Sequence, residues 1–292
     1  MWYQLRNFSR CACWLTRNVH FTLNRSTAKL LFGEDYHDKF DTQAYLQADW
    51  PGDPLVFRLF LLKQLHILYQ SQNSTEEQLK ILDVGTGPVI AHTISAAPYA
   101  SEIVLSEYTE ANRKALLQWL KNDPKAHNWN PYFKHVVVDL EGKGEEEVPV
   151  RMELVRKVIK AVVPCDVNSD PPIPAEYVDE YDIVTSFLCL ICACATEDDY
   201  VAALVRLCAL LKPGGTIALY SIEWKPSAPT PASYPVGSQK FFDLLLSREF
   251  VSKSLEQAGF SDVNVLPLTD HGLQDQFPEI SAFSFYTARK MM

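Results

Sequence analysis

No run of apolar residues in this 292-residue chain is long enough to cross a bilayer, which takes about 20 in succession. A metal-ligand pattern is missing as well. The seven cysteines are an odd count, and five of them fall between Cys165 and Cys208. The short pairs Cys189/Cys192 and Cys192/Cys194 have no second pair and no nearby His to complete a zinc set. They read instead as small apolar residues of a buried strand and the turn after it, reduced in an intracellular compartment. Positive charge is in deficit, with 27 Lys and Arg against 36 Asp and Glu, a net charge of -9. Affinity for nucleic acid comes mainly from cations on phosphates, so that balance argues against such a partner and for a small molecule.

The first 33 residues lack acid altogether. They carry Arg6, Arg10, Arg17, Arg25 and Lys29 with scattered hydroxyls, and the first carboxylate is Glu34. Without a continuous apolar core this is no secretory signal. It has the composition of a mitochondrial transit peptide, with a disordered tail as the alternative. The expected organisation is therefore a basic tail over 1–33 and one domain over 34–292, whose first part, 34–78, is a helical lid. The compartment expected is the cytoplasm, or the mitochondrion if the tail is a targeting segment. There is no internal repeat and no low-complexity tract.

What the chain does have is alternation. Helical spacing over 40–72, broken at Pro51-Gly52 and restarted at Pro54, gives way to a strand at 79–84. A helix over 89–97, a strand at 103–105 and a helix over 110–121 capped by Thr109 are expected next. A strand at 133–138, a helix over 145–163, a strand at 181–190 and a helix over 197–211 stopped by Pro213-Gly214-Gly215 come after them. A strand at 216–220, a helix from Ser247 to Gly259 and strands at 263–266 and 282–288 complete the pattern. This is the signature of an α/β fold, a mostly parallel sheet with helices on both faces. The last two strands are too close in the chain for a helical crossover, so one of them enters antiparallel. The Pro-rich run 226–235 is a loop.

Ligands of such sheets bind beyond the carboxyl ends of the strands. Asp83-Val84-Gly85-Thr86-Gly87-Pro88 falls there, and its glycines let the backbone turn sharply against a ligand. A dinucleotide site would place a third glycine where Ile90 stands, so the turn suits a nucleoside without phosphates better than NAD. Glu107, at the end of the second strand, is placed to accept hydrogen bonds from ribose hydroxyls. Asp166-Val167 is either an adenine-contacting acid and its neighbour or a simple turn.

Together these motifs carry a resemblance. The run 83–88, Glu107-Tyr108 with Asn112, Leu140-Glu141-Gly142-Lys143-Gly144-Glu145, Cys165-Asp166-Val167, Leu188-Cys189-Leu190 and Leu210-Leu211-Lys212-Pro213-Gly214-Gly215 resemble the methyltransferases that act on nicotinamide, phenylethanolamine, indolethylamines and thioethers. The resemblance runs from about Phe40 to the C-terminus. It implies a class I methyltransferase (Rossmann-like) fold with a seven-stranded sheet, an N-terminal helical lid and S-adenosyl-L-methionine as cofactor. It implies that Tyr45 and Trp50 close over the methionine part, with Gly85 and Gly87 below. Glu107, Tyr108 and Asn112 would hold the ribose, Asp166 and Val167 would meet the adenine, and Phe187 would line the pocket. Where the family often has Tyr after the glycine turn, this chain has Ala91.

Methyl transfer needs nucleophile, carbon and sulfur held in line. Positive charge passes to the acceptor, so aromatic walls such as Tyr45, Trp50 and Tyr234 would help. A protonated amine must also lose a proton, which a nearby acid can assist. Relatives with amine or nicotinamide acceptors carry an acid where Ile191 stands, and the nicotinamide enzymes carry Asp at the position of Ser221 and Ser at that of Asp243. The acceptor pocket has been rebuilt. Ser221, Tyr234 and Asp243 are expected to face the acceptor, with Asp243 and Glu223 as the candidate acids and 221–239 as part of the lid. The expected activity is N-methylation of a small amine or heteroaromatic nitrogen by a monomer. A cofactor-binding protein without turnover and an NAD-dependent oxidoreductase are the alternatives.

Overall fold

The structure, a computed structural model, describes residues 29–71, 78–269 and 276–292. Arg6, Arg10, Arg17 and Arg25, on which the targeting expectation rests, lie outside the described residues. Seven strands form one sheet: β2 (Leu79–Val84), β3 (Ala100–Glu107), β4 (Ile159–Pro164), β5 (Tyr181–Phe187), β6 (Leu211–Trp224), β9 (Phe260–Leu268) and β10 (Ile280–Lys290). Their order is β4-β3-β2-β5-β6-β10-β9. The pairs from β4 through β6 are parallel, and β10 runs antiparallel to both β6 and β9. The short connection between the last two strands thus has the antiparallel outcome expected of it. This is the class I methyltransferase fold.

Side chains alternate across the strands and feed two cores. Ile81, Ile103, Leu105, Ile183, Phe187, Ala218, Tyr220, Phe283 and Phe285 point into one layer; Leu82, Val84, Val104, Val184, Ile217, Leu219 and Tyr286 point into the other. The first layer is covered by α3 (Val56–Ser71), α4 (Glu110–Leu120), α5 (Asn130–Lys134) and α6 (Glu147–Val158); the second by α8 (Glu197–Ala209) and α9 (Arg248–Gln257). On α3, Leu61, Leu62 and Leu65 are wholly buried. Each contributes about 1.5–3 kcal/mol by leaving water, so this helix is a layer of the fold as well as a neighbour of the site.

Several expected elements differ. The strand expected over 181–190 ends at Phe187, and Leu190 begins a short helix, α7 (Leu190–Ala193). The span 89–97 holds one 3-10 turn, Ala91–Thr93, in place of a helix, and a second, Ala97–Tyr99, begins at its end. The apolar run 133–138 is helical, with α5 passing into a π-helical segment, His135–Leu140, whose Val136 and Val137 are buried. Tertiary packing overrides the strand preference of three consecutive valines there. The helix expected over 145–163 ends at Val158, and the rest is β4, an edge strand of the sheet.

Over the strand ends lies a second, three-stranded sheet in the order β1-β8-β7, formed by Leu30–Leu31, Gln239–Asp243 and Ala232–Val236. It joins the start of the described chain to the segment after β6, and Tyr36 at the start of α1 (Tyr36–Lys39) meets Tyr234 hydroxyl to hydroxyl at 2.6 Å. The chain is therefore engaged before residue 34, because Leu30 and Leu31 pair with Lys240 and Phe241. The next helix, α2 (Thr42–Asp49), is started by Asp41, whose carboxylate accepts the N–H groups of Gln43 and Ala44. No helix among the described residues is long and apolar enough to cross a membrane.

Candidate active site

The chain order reverses between β2 and β5, and the crevice at such a switch point is where ligands of open α/β sheets bind. A cavity of about 1140 Å³ opens there. Small-molecule sites usually measure about 300–1,000 Å³, so there is room for a cofactor together with an acceptor. Tyr45, Gly85, Gly87, Glu107, Tyr108, Asn112, Asp166, Val167, Phe187, Tyr234 and Asp243 all line it. Residues from seven separated stretches of sequence thus converge on one space.

The turn after β2 takes the left-handed backbone at both glycines, with φ of +67° at Gly85 and +64° at Gly87. A Cβ at Gly85 would also overlap the Cys189 side chain, so that glycine is required twice over. Glu107 is 5% exposed and binds this turn: Oε2 accepts the Gly87 N–H at 2.9 Å, and Oε1 accepts from Thr109 N at 2.8 Å and Asn112 Nδ2 at 3.0 Å. A carboxylate offers about four lone-pair sites, which leaves capacity on Oε2 for a ligand hydroxyl. Thr109 stands at the start of α4 as expected, yet its hydroxyl caps nothing. Asn112 is held from the other side by the Thr42 hydroxyl at 2.6 Å. Asp166 closes a local turn, accepting Asn168 N–H and the Ser169 hydroxyl, each at 2.9 Å, while lining the cavity. The turn read from the sequence is present, and Asp166 also borders the cavity.

Three expected site residues stand outside the cavity walls. Trp50 is fully buried behind them, among Trp129, Tyr132 and His92, with the Arg58 guanidinium over its ring at 4.4 Å. Ser221 and Glu223 fail for one reason: they occupy the face of β6 that looks away. Ser221 lies against Ser186, Leu190, Ile191 and Tyr200. Glu223 is taken by Arg248 through two hydrogen bonds of 2.8 and 2.9 Å and by the Ser284 hydroxyl. Their strand neighbours Ile222 and Trp224 line the cavity instead. Residues 221–239 extend from the end of β6 through a loop over 225–231 to the β7–β8 hairpin, so the loop expected over 226–235 holds to 231 and becomes strand from Ala232.

Asp243, the last residue of β8, is 1% exposed. Its Oδ1 lies 3.8 Å from Cys192 Sγ, and Oδ2 makes no hydrogen bond among the described residues. Burial pushes its pKa up to about 7, while the neighbouring Trp224 indole and Cys192 thiol pull the other way. The Tyr36 and Tyr234 hydroxyls are likewise pushed well above the ordinary phenol range, chiefly by burial. Arg58, Asp49, Tyr36, Ile222 and Trp224 were not singled out in the sequence, and all line the cavity, as does Cys192, which was read there as a small apolar residue. The one sequence signal for any of them is an arginine beside Phe57 on the apolar stripe of α3.

Comparison with known proteins agrees with this geometry. Residues 28–291 match the NNMT/PNMT/TEMT family. Indolethylamine N-methyltransferase of Mus musculus is 33% identical over 231 residues, 78% of this chain and 84% of that protein. Nicotinamide N-methyltransferase of Homo sapiens is 36% identical over 181 residues, 62% and 66% of the two chains. Among solved structures, magnesium protoporphyrin IX methyltransferase from Synechocystis PCC 6803 with bound SAM shares the fold at a TM-score of 0.51 and 11% identity, over 88% of this chain and 94% of that one. The chain belongs to the NNMT/PNMT/TEMT family and is an S-adenosylmethionine-dependent methyltransferase.

Proposed function

We propose that the chain N-methylates a small amine that binds as a cation beside Asp243. The observation that carries this reading is a buried carboxyl with a free oxygen in the wall of the cavity. A buried carboxylate without a partner is costly, and an ammonium ligand would satisfy it. Tyr36, Tyr234 and Trp224 line the same cavity and offer aromatic faces to positive charge. Asp243 is the candidate base, since a carboxyl with a pKa near 7 takes a proton better than an ordinary one. Glu223 is no longer needed in that role, being occupied by Arg248.

The residues present suit the cofactor. Glu107 has accepting capacity for ribose hydroxyls, Gly85 and Gly87 clear the approach, and Asp166 with Val167 borders the cavity beyond β4. When bound, the cofactor supplies a methyl group on a sulfonium. The protein's own residues position the acceptor, exclude water beneath the β1-β8-β7 sheet and hold the displaced proton at Asp243 Oδ2. A monomer as the working unit belongs to the same proposal. The cytoplasm, or the mitochondrion if 1–33 is a targeting segment, belongs to the same proposal and is supported by composition alone. A methylation assay over a panel of aliphatic and aromatic amines with mass detection tests the reading. Methylation of nicotinamide in preference to every aliphatic amine would overturn it.

A further inference from the structure

Arg58 is out of place on its helix. It lies next to Phe57 on the buried side of α3 and is 2% exposed, yet a guanidinium stays charged and must be paired. Its Nη2 donates to Asp49 Oδ1 at 3.1 Å and to the Tyr45 hydroxyl at 3.3 Å, and Nε donates to the Asp49 carbonyl at 3.3 Å. Its carbon centre lies 4.4 Å from the Trp50 ring centroid and 4.5 Å from that of Phe57. These contacts fix the plane of the group from two edges and two rings.

Both charges of the pair keep spare capacity. Among the described residues Arg58 Nη1 has no partner, and the Asp49 carboxylate bonds only through Oδ1. Arg58, Asp49 and Tyr45 all line the cavity. Their end of it is the β2 end: Trp50, under the guanidinium, lies edge-on to His92 at 5.6 Å, and His92 Nδ1 is 3.3 Å from Asp83 Oδ2, two residues before Gly85. Ala91, past the glycine turn, is fully buried and supplies no side-chain hydrogen bond. A donor edge and an acceptor oxygen side by side are complementary to a zwitterion, and a fixed guanidinium fork matches a carboxylate.

We propose that the Arg58–Asp49 pair recognises the amino-acid end of the cofactor, Arg58 Nη1 donating to its α-carboxylate and Asp49 accepting from its α-ammonium. Trp50 acts as a positioning residue beneath Arg58. The proposal rests on S-adenosylmethionine being the cofactor.

Calorimetric titration of the full chain with two ligands tests it. S-adenosylhomocysteine carries the amino-acid end, and 5′-methylthioadenosine lacks it. Arg58→Met should weaken S-adenosylhomocysteine by about 30-fold, as expected for charged hydrogen bonds, and leave methylthioadenosine within about twofold. Asp49→Asn should show the same selectivity at about fivefold. Equal weakening of both ligands, or no weakening of either, overturns the proposal. If Arg58→Met does not fold, Asp49→Asn decides by the same criterion. Failure of both ligands to bind the unaltered chain would remove the cofactor assignment itself, a result distinct from loss of selectivity.

Discussion

Glu107 Oε2 accepts the Gly87 amide N–H at 2.9 Å, so the acid ending β3 and the turn ending β2 form one rigid unit. Its removal would strip a candidate ribose acceptor and free the turn. Glu107→Ala is expected to weaken S-adenosylhomocysteine on the order of 100-fold, the loss of one or two charged hydrogen bonds. Calorimetry measures this, and an unchanged affinity would move the ribose elsewhere.

As the proposed base, Asp243 is expected to set the pH response of turnover. A base with a pKa of about 7 is increasingly ionised as pH rises, so kcat/KM for an amine should climb through pH 7 and level off above it. Asp243→Asn should lower kcat/KM about 100-fold and flatten that limb. A pH profile of both proteins with the best panel amine is the measurement.

The same residue sets a pH-dependent cost of folding. Its folded pKa is raised from 3.8 to about 7, so the folded state holds the proton more tightly than the unfolded chain. The cost is absent below pH 3.8, grows from there to about 7 and is constant above. Asp243→Asn should therefore be more stable than the parent above pH 7, by at most on the order of 4 kcal/mol, with the gap closing toward pH 4. Urea midpoints at several pH values, without ligand, give the curve.

The two faces of β6 separate binding from stability. Trp224→Ala should raise the acceptor KM about tenfold through lost aromatic contact, whereas Ser221→Ala should change it less than about twofold. Glu223→Gln should leave KM alone and cost about 1 kcal/mol, since its Arg248 partner is 38% exposed and screened by water. Equal KM effects at positions 221 and 224 would contradict the strand register.

Gly85→Ala should destabilise by about 3 kcal/mol or more, combining left-handed strain with overlap on Cys189. Adding Cys189→Gly should recover the overlap and leave about 1–2 kcal/mol of backbone strain. Denaturant midpoints of the single and double variants separate the two contributions.

The sequence made the frame of the site legible because its signals are local. A glycine pair after an apolar run and an acid at the next strand end each follow from chain geometry within a few residues, whereas Pro213-Gly214-Gly215, expected to stop a helix, lies inside β6. Valines 136–138 misled because β-branched runs favour strands only when a sheet is there to receive them, and here a helical layer was. Ser221 and Glu223 misled by one residue: in a strand, a shift of one position exchanges the ligand face for the opposite layer. Arg58 escaped notice because its partners Asp49 and Tyr45 sit on another helix, and long-range pairing leaves no periodic trace.

Three thiols, Cys165, Cys189 and Cys192, border the cavity that receives an alkylating sulfonium. Thiolates in that position would compete with the substrate and modify the protein's own wall. Burial holds Cys165 up at about 12 and the other two well above the ordinary thiol range, so all three stay protonated. The packing that shapes this wall thus disfavours the thiolate form, the one that reacts with a sulfonium.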